Sequence, residues 1–263
     1  MPRRSQVIIT IDAGNTHVSI AQHAPVRARI FSKPLDELKV GRTLSAAQDA
    51  AVRACVISSV VPKDTKRLAA LWHKATGERA FIFPRDFPGI LTIKPQPAER
   101  VGADRLANAL GALCLLNNKD IIKNKKRATH AVIVDVGTAV TVDVVSRARV
   151  FEGGMIAPGP RLGAKSLATF TAQLPEVKFK KTRRAIGRST HEAIASGLWF
   201  GFRGLVISMV RAALAEFPAS VVFVAGGDGE ACLRGSNIEY IHQPDITHLG
   251  LAESIRWKNG GGL

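Results

Sequence analysis

Hydrophobic and polar positions near the start of the chain alternate as they do in two strands joined by a turn. Val7–Ile11 is rich in β-branched residues and predicts a buried strand, and a second strand pattern begins at Val18. Between them lies the polar segment Asp12–His17, in which Gly14 permits a positive φ or a ligand close to the backbone. We expect a β-hairpin whose turn is either a plain polar connection or a small phosphate-binding site.

The same pattern recurs roughly 120 residues further along the chain. At Val134–Ala139 an apolar run is followed by an acid, a glycine and a hydroxyl residue, and a second apolar run begins after them. A third strand is predicted after each hairpin, at Arg27–Phe31 and at Arg147–Phe151. We interpret the recurrence as an internal duplication, with a chance match of the two Arg-Ala-Arg sequences as the alternative.

Strand and helix patterns alternate along the rest of the chain, which predicts mixed sheets with helices packed on them. The lysine-rich run after Asn117 is the natural boundary between the halves, so we expect domains at residues 1–127 and 128–263. The predicted strands or extended segments are Ala51–Val61, Arg79–Phe83, Leu91–Pro97 and Val221–Ala225, and the predicted helices are Pro62–Trp72, Gly102–Leu116, Arg161–Phe170, Thr190–Phe217 and Thr247–Trp257.

The helix predicted from Thr190 is apolar around more than one face, so we expect it in the core or at a subunit interface. The chain contains no uninterrupted apolar stretch of the length that spans a membrane, so we expect no membrane-spanning helix. Cys55, Cys114 and Cys232 are far apart and are expected to be core thiols in a reducing compartment, which favours the cytoplasm.

The net charge of the chain indicates which classes of molecule it is expected to bind. The 37 basic and 21 acidic residues give a net charge of +16, and two runs, 119–127 and 178–184, hold much of the excess. Both runs are interpreted as solvated loops, with a nucleic-acid patch as the alternative. Either way, the positive charge favours an anionic substrate.

Three further segments carry candidate chemistry. Gly102-Ala103-Asp104-Arg105 begins a helix, where an acid often only compensates the helix dipole. The glycine turn at Gly226-Gly227 admits a flat base or a phosphate, or is a plain strand-to-helix turn. Ser189-Thr190-His191-Glu192 matches a capping box, which makes Thr190 a first helical residue. The common phosphate-binding signatures GxxxxGK[ST] and GxGxxG are absent.

Taken in order, these motifs resemble those of a known family. They are DxGNT at 12–16, ISSVVP at 57–62, GADR at 102–105, DxGTAxTxD at 135–143, GGxIxPG at 153–159, IGxST at 186–190 and AGGDG at 225–229. The set resembles the type III pantothenate kinases, a family that also takes in the Bvg accessory factor homologues and belongs to the acetate kinase, sugar kinase, Hsp70 and actin superfamily. The resemblance implies a duplicated ribonuclease H-like (actin-like ATPase) α/β fold with mixed five-stranded sheets flanked by helices.

The resemblance also implies an activity: ATP-dependent phosphorylation of the pantothenate primary hydroxyl, the first step of coenzyme A synthesis. It further implies a homodimer, magnesium and a monovalent cation, potassium or ammonium. Asp104 would be the general base, Asp12 the magnesium-side carboxylate and Asp135 the ligand of the monovalent cation. The implied ATP-binding residues are Asp12, Ala13, Gly14, Asn15, Thr16, His17, Val18, Ser19, Thr138, Gly226 and Gly227, and the implied pantothenate-binding residues are Gly102, Ala103, Asp104, Arg105 and Thr190, with Thr190 reaching across the dimer.

One departure from the family pattern leaves the substrate open. Pro95 stands where many members carry a tyrosine, so the wall of the substrate pocket differs. Two alternatives to pantothenate phosphorylation therefore remain: a kinase of a different small hydroxy acid, and a non-catalytic regulatory homologue that binds nucleic acid through its basic runs.

Overall fold

The computed structural model of the chain describes residues 7–14, 17–23, 28–34, 52–122 and 127–261. These residues form two compact units. Unit 1 comprises Met1–Ile121, Arg147–Phe151 and Asp245–Leu263, and unit 2 comprises Ile122–Ser146 and Glu152–Pro244. The predicted site residues Asn15 and Thr16 lie outside the described residues.

Unit 1 is built on a five-stranded sheet of order β3-β2-β1-β4-β5. Strand β1 pairs antiparallel with β2 and parallel with β4, so the sheet is mixed as expected. The strands are β1 (Val7–Ala13), β2 (His17–His23), β3 (Ala28–Pro34), β4 (Val52–Ser59) and β5 (Phe81–Ile82).

The two faces of this sheet differ in chemistry because side chains alternate along β1. Ile9, Ile11 and Ala13 lie in an apolar core with Leu68 and Trp72 of helix α1 (Pro62–Thr76). The opposite face carries polar side chains, and helices α2 (Ala103–Asn117) and α6 (Ile246–Lys258) pack on it. The polar end of the hairpin is therefore supported from the helical side of unit 1.

Helix α6 belongs to unit 1 although it is the last helix of the chain. It packs very closely against α2 at Gly250. A Cβ atom at this position would overlap the carbonyl oxygen of Ala107, so only glycine permits this approach. The predicted division at residues 1–127 and 128–263 therefore differs from the units in three ways. The first break falls after Ile121, Arg147–Phe151 belongs to unit 1, and α6 returns to the unit that contains α2.

Unit 2 repeats the strand order of unit 1. Strands β11-β10-β7-β8-β9 run in that order, with β7 antiparallel to β8 and parallel to β10. The strands are β7 (His130–Val136), β8 (Ala139–Ser146), β9 (Val150–Pro158), β10 (Ser220–Ala225) and β11 (Ile241–His242). Equivalent pairing around β1 and β7 confirms the predicted duplication.

The second sheet has six strands, so the expected five-stranded count is wrong there. The additional strand is β6 (Thr92–Ile93), which pairs in parallel with Val150 and Phe151 at the start of β9. Strand β6 lies at the edge of the sheet, a position compatible with Pro95 and Pro97 shortly after it, since proline cannot donate a ladder hydrogen bond.

Two helices of unit 2 are relevant to function, α3 (Pro160–Phe170) and α4 (Thr190–Glu216). On length and composition alone α4 is capable of crossing a membrane, a test that core helices of globular proteins also pass. Val206 and Val210 of α4 are fully buried against the valines of β7, β8 and β10. Of the two predicted locations for this helix, the core or a subunit interface, the core is therefore confirmed for the face that carries these valines. A short helix, α5 (Gly229–Leu233), follows β10.

Candidate functional site

The first hairpin ends in a tight, hydrogen-bonded turn. Asp12 is the penultimate residue of β1, and the backbone N–H of Gly14 donates to the carbonyl oxygen of His17 over 3.0 Å. Ala13 and Val18 are buried in the sheet, whereas His17 is exposed. Of the residues predicted to bind ATP in unit 1, the described ones thus lie at the ends of two paired strands and at Gly14, where the turn begins.

Three polar side chains align across the end of the unit 1 sheet. Asp12 is paired in register with Ser19 on β2 and with Ser58 on β4, so all three side chains lie on one face. The Ser58 side chain is fully buried, and its hydroxyl has no hydrogen-bond partner within the described part of the chain. Buried hydroxyls normally have a hydrogen-bond partner. The Ser58 hydroxyl is therefore available to bond a polar ligand, an ion or a water molecule on this face.

The GADR segment forms the start of α2, with Gly102 as its N-cap residue. The Asp104 carboxylate accepts a hydrogen bond from the backbone N–H of Arg105 over 2.8 Å, and the side chain is half-buried. One carboxylate oxygen thus interacts with the first turn of the helix. This contact matches the dipole-compensating role.

Arg105 lies over an aromatic ring. Its guanidinium carbon is 5.6 Å from the centroid of the buried Phe151 ring, a cation–π distance. The backbone N–H of Lys94, directly before Pro95, donates to the carbonyl oxygen of Phe151 over 3.1 Å. Within unit 1, the segment that carries Pro95 therefore runs beside the residue that supports Arg105.

The structure adds a buried polar cluster that the sequence patterns did not predict. His248 of α6 contacts Thr10 through Nδ1 over 2.8 Å and Ser19 through Nε2 over 2.9 Å, and Thr10 also contacts His23 Nε2 over 2.9 Å. Burial lowers the pKa of His248 to about 3, with a smaller contribution from His23. Burial and, less strongly, Arg256 lower the pKa of His23 to about 4, so both imidazoles are neutral near pH 7.

No local signal in the sequence marks this cluster, because its members come from β1, β2 and the last helix. A histidine on a mostly apolar helix is usually a core residue. Only the packing of α6 on the unit 1 sheet brings His248 to Ser19.

In unit 2 the second hairpin comes together with the Gly226 turn. Asp135 lies near the end of β7, and Gly226 directly follows β10, which pairs with β7. Gly226 has φ +76, and a Cβ atom there would lie 2.6 Å from Asp135 Oδ1 and 2.5 Å from the Val136 carbonyl oxygen. Thr138 is exposed at the turn, where its carbonyl oxygen accepts from the Gly159 N–H over 2.9 Å.

A cavity of about 420 Å³ opens beside the second glycine of this turn. Its walls include the aromatic side chains of Phe179 and Trp199, whose ring centroids are 5.6 Å apart. Arg203 lies over Trp199 at 5.2 Å. The remaining lining residues are Lys180, Lys181, Gly227, Asp228, Glu230, Ala231, Arg234 and His242. A flat, anionic molecule suits this combination of aromatic and cationic side chains.

Thr190 lies elsewhere in unit 2. It is the exposed first residue of α4, after the N-cap Ser189, whose hydroxyl accepts from the Glu192 N–H over 3.2 Å. The predicted cap is therefore confirmed. Thr190 lines an apolar groove of about 720 Å³ formed by α3 and α4, together with Gly163, Leu167, Leu174, Gly197, Leu198, Gly201, Phe202 and four further residues. It does not line the cavity beside Gly227.

The charged run 178–184 is mostly exposed, with Phe179 turned partly inward. Its exposed cations fit both interpretations of the sequence, a solvated loop and a nucleic-acid patch. Among the described residues no group of three or more His, Cys, Asp or Glu side chains is placed to hold a metal ion. An ion at Asp12 or Asp135 would take its further ligands from hydroxyl or backbone oxygens, from the substrate or from water.

Comparison with known proteins gives a consistent result. The family model described as type III pantothenate kinase matches residues 8–212. A type III pantothenate kinase of Maricaulis maris is 31% identical over 271 residues, which cover 97% of this chain and 99% of the relative. A type III pantothenate kinase of Persephonella marina is 31% identical over 201 residues, which cover 76% of this chain and 74% of the relative.

A solved structure shares the fold. The crystal structure of a Campylobacter jejuni protein assigned to the Baf family of transcriptional activators superposes with a TM-score of 0.58 at 18% identity. The match covers 96% of this chain and 99% of that one. At this identity the likeness concerns the architecture alone.

Proposed function

This chain belongs to the type III pantothenate kinase family, and we propose that its two strand-end carboxylates and their glycine turns carry the reaction. It phosphorylates pantothenate with ATP, a step of coenzyme A biosynthesis. The observation that supports the assignment of the site is the repeat itself. Asp12 and Asp135 occupy equivalent positions next to a tight turn in two sheets of the same strand order.

We propose that the hairpin of unit 1 binds the ATP phosphates through Asp12, Ala13, Gly14, Asn15, Thr16, His17, Val18 and Ser19. The support is a turn at the end of two paired strands, where the polar side chains of Asp12 and Ser19 lie on one face of the sheet. In unit 2, Thr138 is proposed to bind a phosphate oxygen. Gly226 and Gly227 are proposed to bind the nucleoside end, because the adjoining cavity has aromatic and cationic walls.

We propose magnesium at Asp12 and a potassium or ammonium ion at Asp135. Carboxylate and hydroxyl oxygens are the ligands that magnesium prefers, and protein sites for it commonly supply one or two carboxylates while phosphates and water complete the shell. The buried, unpaired hydroxyl of Ser58 beside Asp12 is consistent with such an occupant. When bound, magnesium would neutralise charge on the transferred phosphoryl group.

Asp104 is proposed as the general base. Its carboxylate accepts the proton of the pantothenate primary hydroxyl, whose oxygen forms a bond to the γ-phosphorus. The bond from the γ-phosphorus to the bridging oxygen breaks at the same time, and ADP leaves with that oxygen. The support is the position of the carboxylate, which is half-buried in the first turn of α2 and accepts a hydrogen bond from the backbone N–H of Arg105.

Gly102, Ala103, Arg105 and Thr190 are proposed to bind pantothenate. The Arg105 guanidinium is held over Phe151 and supplies the counter-charge for the substrate carboxylate. Pro95 directly follows Lys94, whose backbone N–H donates to Phe151. We propose that the side chain at position 95 forms part of the pantothenate pocket beside Arg105, so proline in place of tyrosine alters that pocket. A related hydroxy acid is therefore the second substrate to test.

We also propose a homodimer in the cytoplasm. The support for a dimer is the groove between α3 and α4, which is apolar and contains several glycines that let another helix approach closely. Thr190 lines this groove, so a partner subunit there would bring a second chain to a proposed substrate residue. Three free cysteines, Cys55, Cys114 and Cys232, fit a reducing compartment.

The test is a coupled assay of ADP release with pantothenate and related hydroxy acids, with and without potassium. Asp104→Asn should fold normally and lose about 10²–10⁴-fold in kcat, because the amide cannot accept the substrate proton. The matched control is Asp120→Asn, an exposed acid beyond the other end of α2, which should retain wild-type turnover.

Near wild-type kcat for Asp104→Asn would contradict its role as the base. Faster turnover of another hydroxy acid than of pantothenate by the wild-type protein would instead favour that acid as the substrate. Equal rates with and without potassium or ammonium would contradict the proposed role of Asp135.

A further inference from the structure

The buried cluster behind the first hairpin links the last helix to the proposed phosphate site. Thr10 is fully buried and His248 is 4% exposed, yet every polar side-chain atom of both has a partner within the cluster. The contacts form one linear chain from His23 through Thr10 and His248 to Ser19. Its far end, Ser19, stands opposite Asp12 in the β-ladder.

Because both imidazoles are neutral, each has a single N–H, and the chain can be ordered in only two directions. In the first order Ser19 donates to His248 Nε2, His248 Nδ1–H donates to Thr10, and Thr10 donates to His23. The Ser19 hydroxyl proton then points into the cluster. Only its lone pairs remain, and these repel an anion.

The second order reverses every bond. His23 Nε2–H donates to Thr10, Thr10 donates to His248 Nδ1, and His248 Nε2–H donates to Ser19. The Ser19 hydroxyl proton is then free for an acceptor outside the cluster. A phosphate oxygen at the hairpin favours this second order, since the hydrogen bond to a charged acceptor is the stronger one.

We propose that His248 is a positioning residue that makes the Ser19 hydroxyl a hydrogen-bond donor to a phosphate oxygen of the bound nucleotide. The inference rests on the proposed binding of ATP phosphates at the first hairpin. Helix α6 is thereby part of the nucleotide site without touching the nucleotide. Its close packing on α2 at Gly250 holds the imidazole at the required depth.

Two substitutions separate the two sides of the imidazole. The amide of His248→Asn reaches the position of Nδ1 and can keep the Thr10 contact, whereas that of His248→Gln reaches the position of Nε2 and can donate to Ser19. We expect His248→Asn to weaken nucleotide binding about tenfold, as for loss of a hydrogen bond to a charged group. His248→Gln should recover most of this loss. His73→Asn, an exposed histidine of α1, is the matched control.

Nucleotide affinity is measured by calorimetry with ATP and magnesium, and unfolding is followed separately. Ser19→Ala should weaken binding as much as His248→Asn, and the double variant no further, because both changes remove the same bond. A purely structural role of His248 predicts additive losses, or a lowered Tm with unchanged affinity in the folded variant. Either result would overturn the proposal.

The tautomer provides a test on the unaltered protein. The ¹⁵N chemical shifts of the His248 ring should report a proton on Nε2 and none on Nδ1 in the complex with ADP and magnesium. A proton on Nδ1 in that complex contradicts the proposal even if the variants fail to fold. These measurements need no acceptor substrate. A failure to phosphorylate pantothenate would therefore refute the proposed function, whereas the role of His248 would still be decided by the nucleotide affinities and the ¹⁵N chemical shifts.

Discussion

Asp12 and Asp135 end equivalent strands, yet their neighbours differ. Asp12 has hydroxyl side chains in register on both sides, Ser19 and Ser58. Asp135 has Thr141 on one side and Ala225 on the other, with Gly226 directly behind it. The first carboxylate therefore has two hydroxyl-bearing register partners, whereas the second has one hydroxyl-bearing and one apolar partner. This difference supports the proposal that the two acids bind different cations.

At the residue scale, the conformation of Gly226 leads to a prediction. Its φ of +76 and the short distances from an added Cβ to Val136 and Asp135 leave no room for a side chain. We expect Gly226→Ala to lower the free energy of unfolding by about 1–3 kcal/mol, through strain in the left-handed region and displacement of the β7 turn. Urea denaturation followed by tryptophan fluorescence measures the change.

Gly227→Ala is the matched control, because a Cβ at that position meets nothing within 4 Å. Its unfolding midpoint should stay close to that of the wild type. Equal stability of the two variants would contradict the strain argument. A loss of ATP affinity in Gly226→Ala that exceeds the loss in Gly227→Ala would support the link between this turn and the Asp135 hairpin.

At the scale of elements, α4 has two different apolar faces. One contains Val206 and Val210 and packs on the unit 2 sheet. The other contributes to the groove with α3 and leaves apolar side chains accessible, with Phe170 at the end of α3 exposed to 85%. The sequence predicted an all-round apolar helix suited to a core or an interface, and the structure assigns the first role to one face.

A substitution in the groove formed by α3 and the second apolar face of α4 tests the proposed dimer. Leu167→Glu places a charge in the groove, so we expect it to shift the protein from dimer to monomer in sedimentation experiments at micromolar concentration, because an unpaired charge is costly in an apolar interface. Thr169→Glu, an exposed position on the same helix that does not line the groove, should leave the dimer intact. A wild-type monomer, or a dimer that persists in Leu167→Glu, would refute this interface.

At the scale of the whole molecule, the buried histidines make stability depend on pH. Their pKa values are lowered on folding from 6.5, to about 4 for His23 and about 3 for His248. Between pH 6.5 and 4 the unfolded chain therefore binds protons that the folded chain does not, and the free energy of unfolding falls as pH falls through this window. We expect a loss of about 2 kcal/mol at most for each histidine between pH 7 and pH 5.

Urea denaturation at a series of pH values measures this slope. His23→Gln removes one of the two titrating groups and should flatten the dependence between pH 7 and pH 5, whatever it does to stability at pH 7. A slope unchanged by that substitution would show that other groups cause the acid sensitivity.

The sequence alone determined the features that depend on neighbours in the chain. Apolar alternation predicted the strands on either side of Asp12 and Asp135, and Ser189 with Glu192 predicted the start of α4, because these signals act over a few residues. The order of motifs from the first hairpin to AGGDG indicated the family, and the comparisons confirm it.

Only the tertiary structure decided which distant segments meet. It brought α6 back to unit 1, added β6 as a sixth strand of the second sheet, and set His248 between Thr10 and Ser19. Such contacts depend on how helices and sheets pack, and no local pattern encodes a hydrogen bond between residues at opposite ends of the chain.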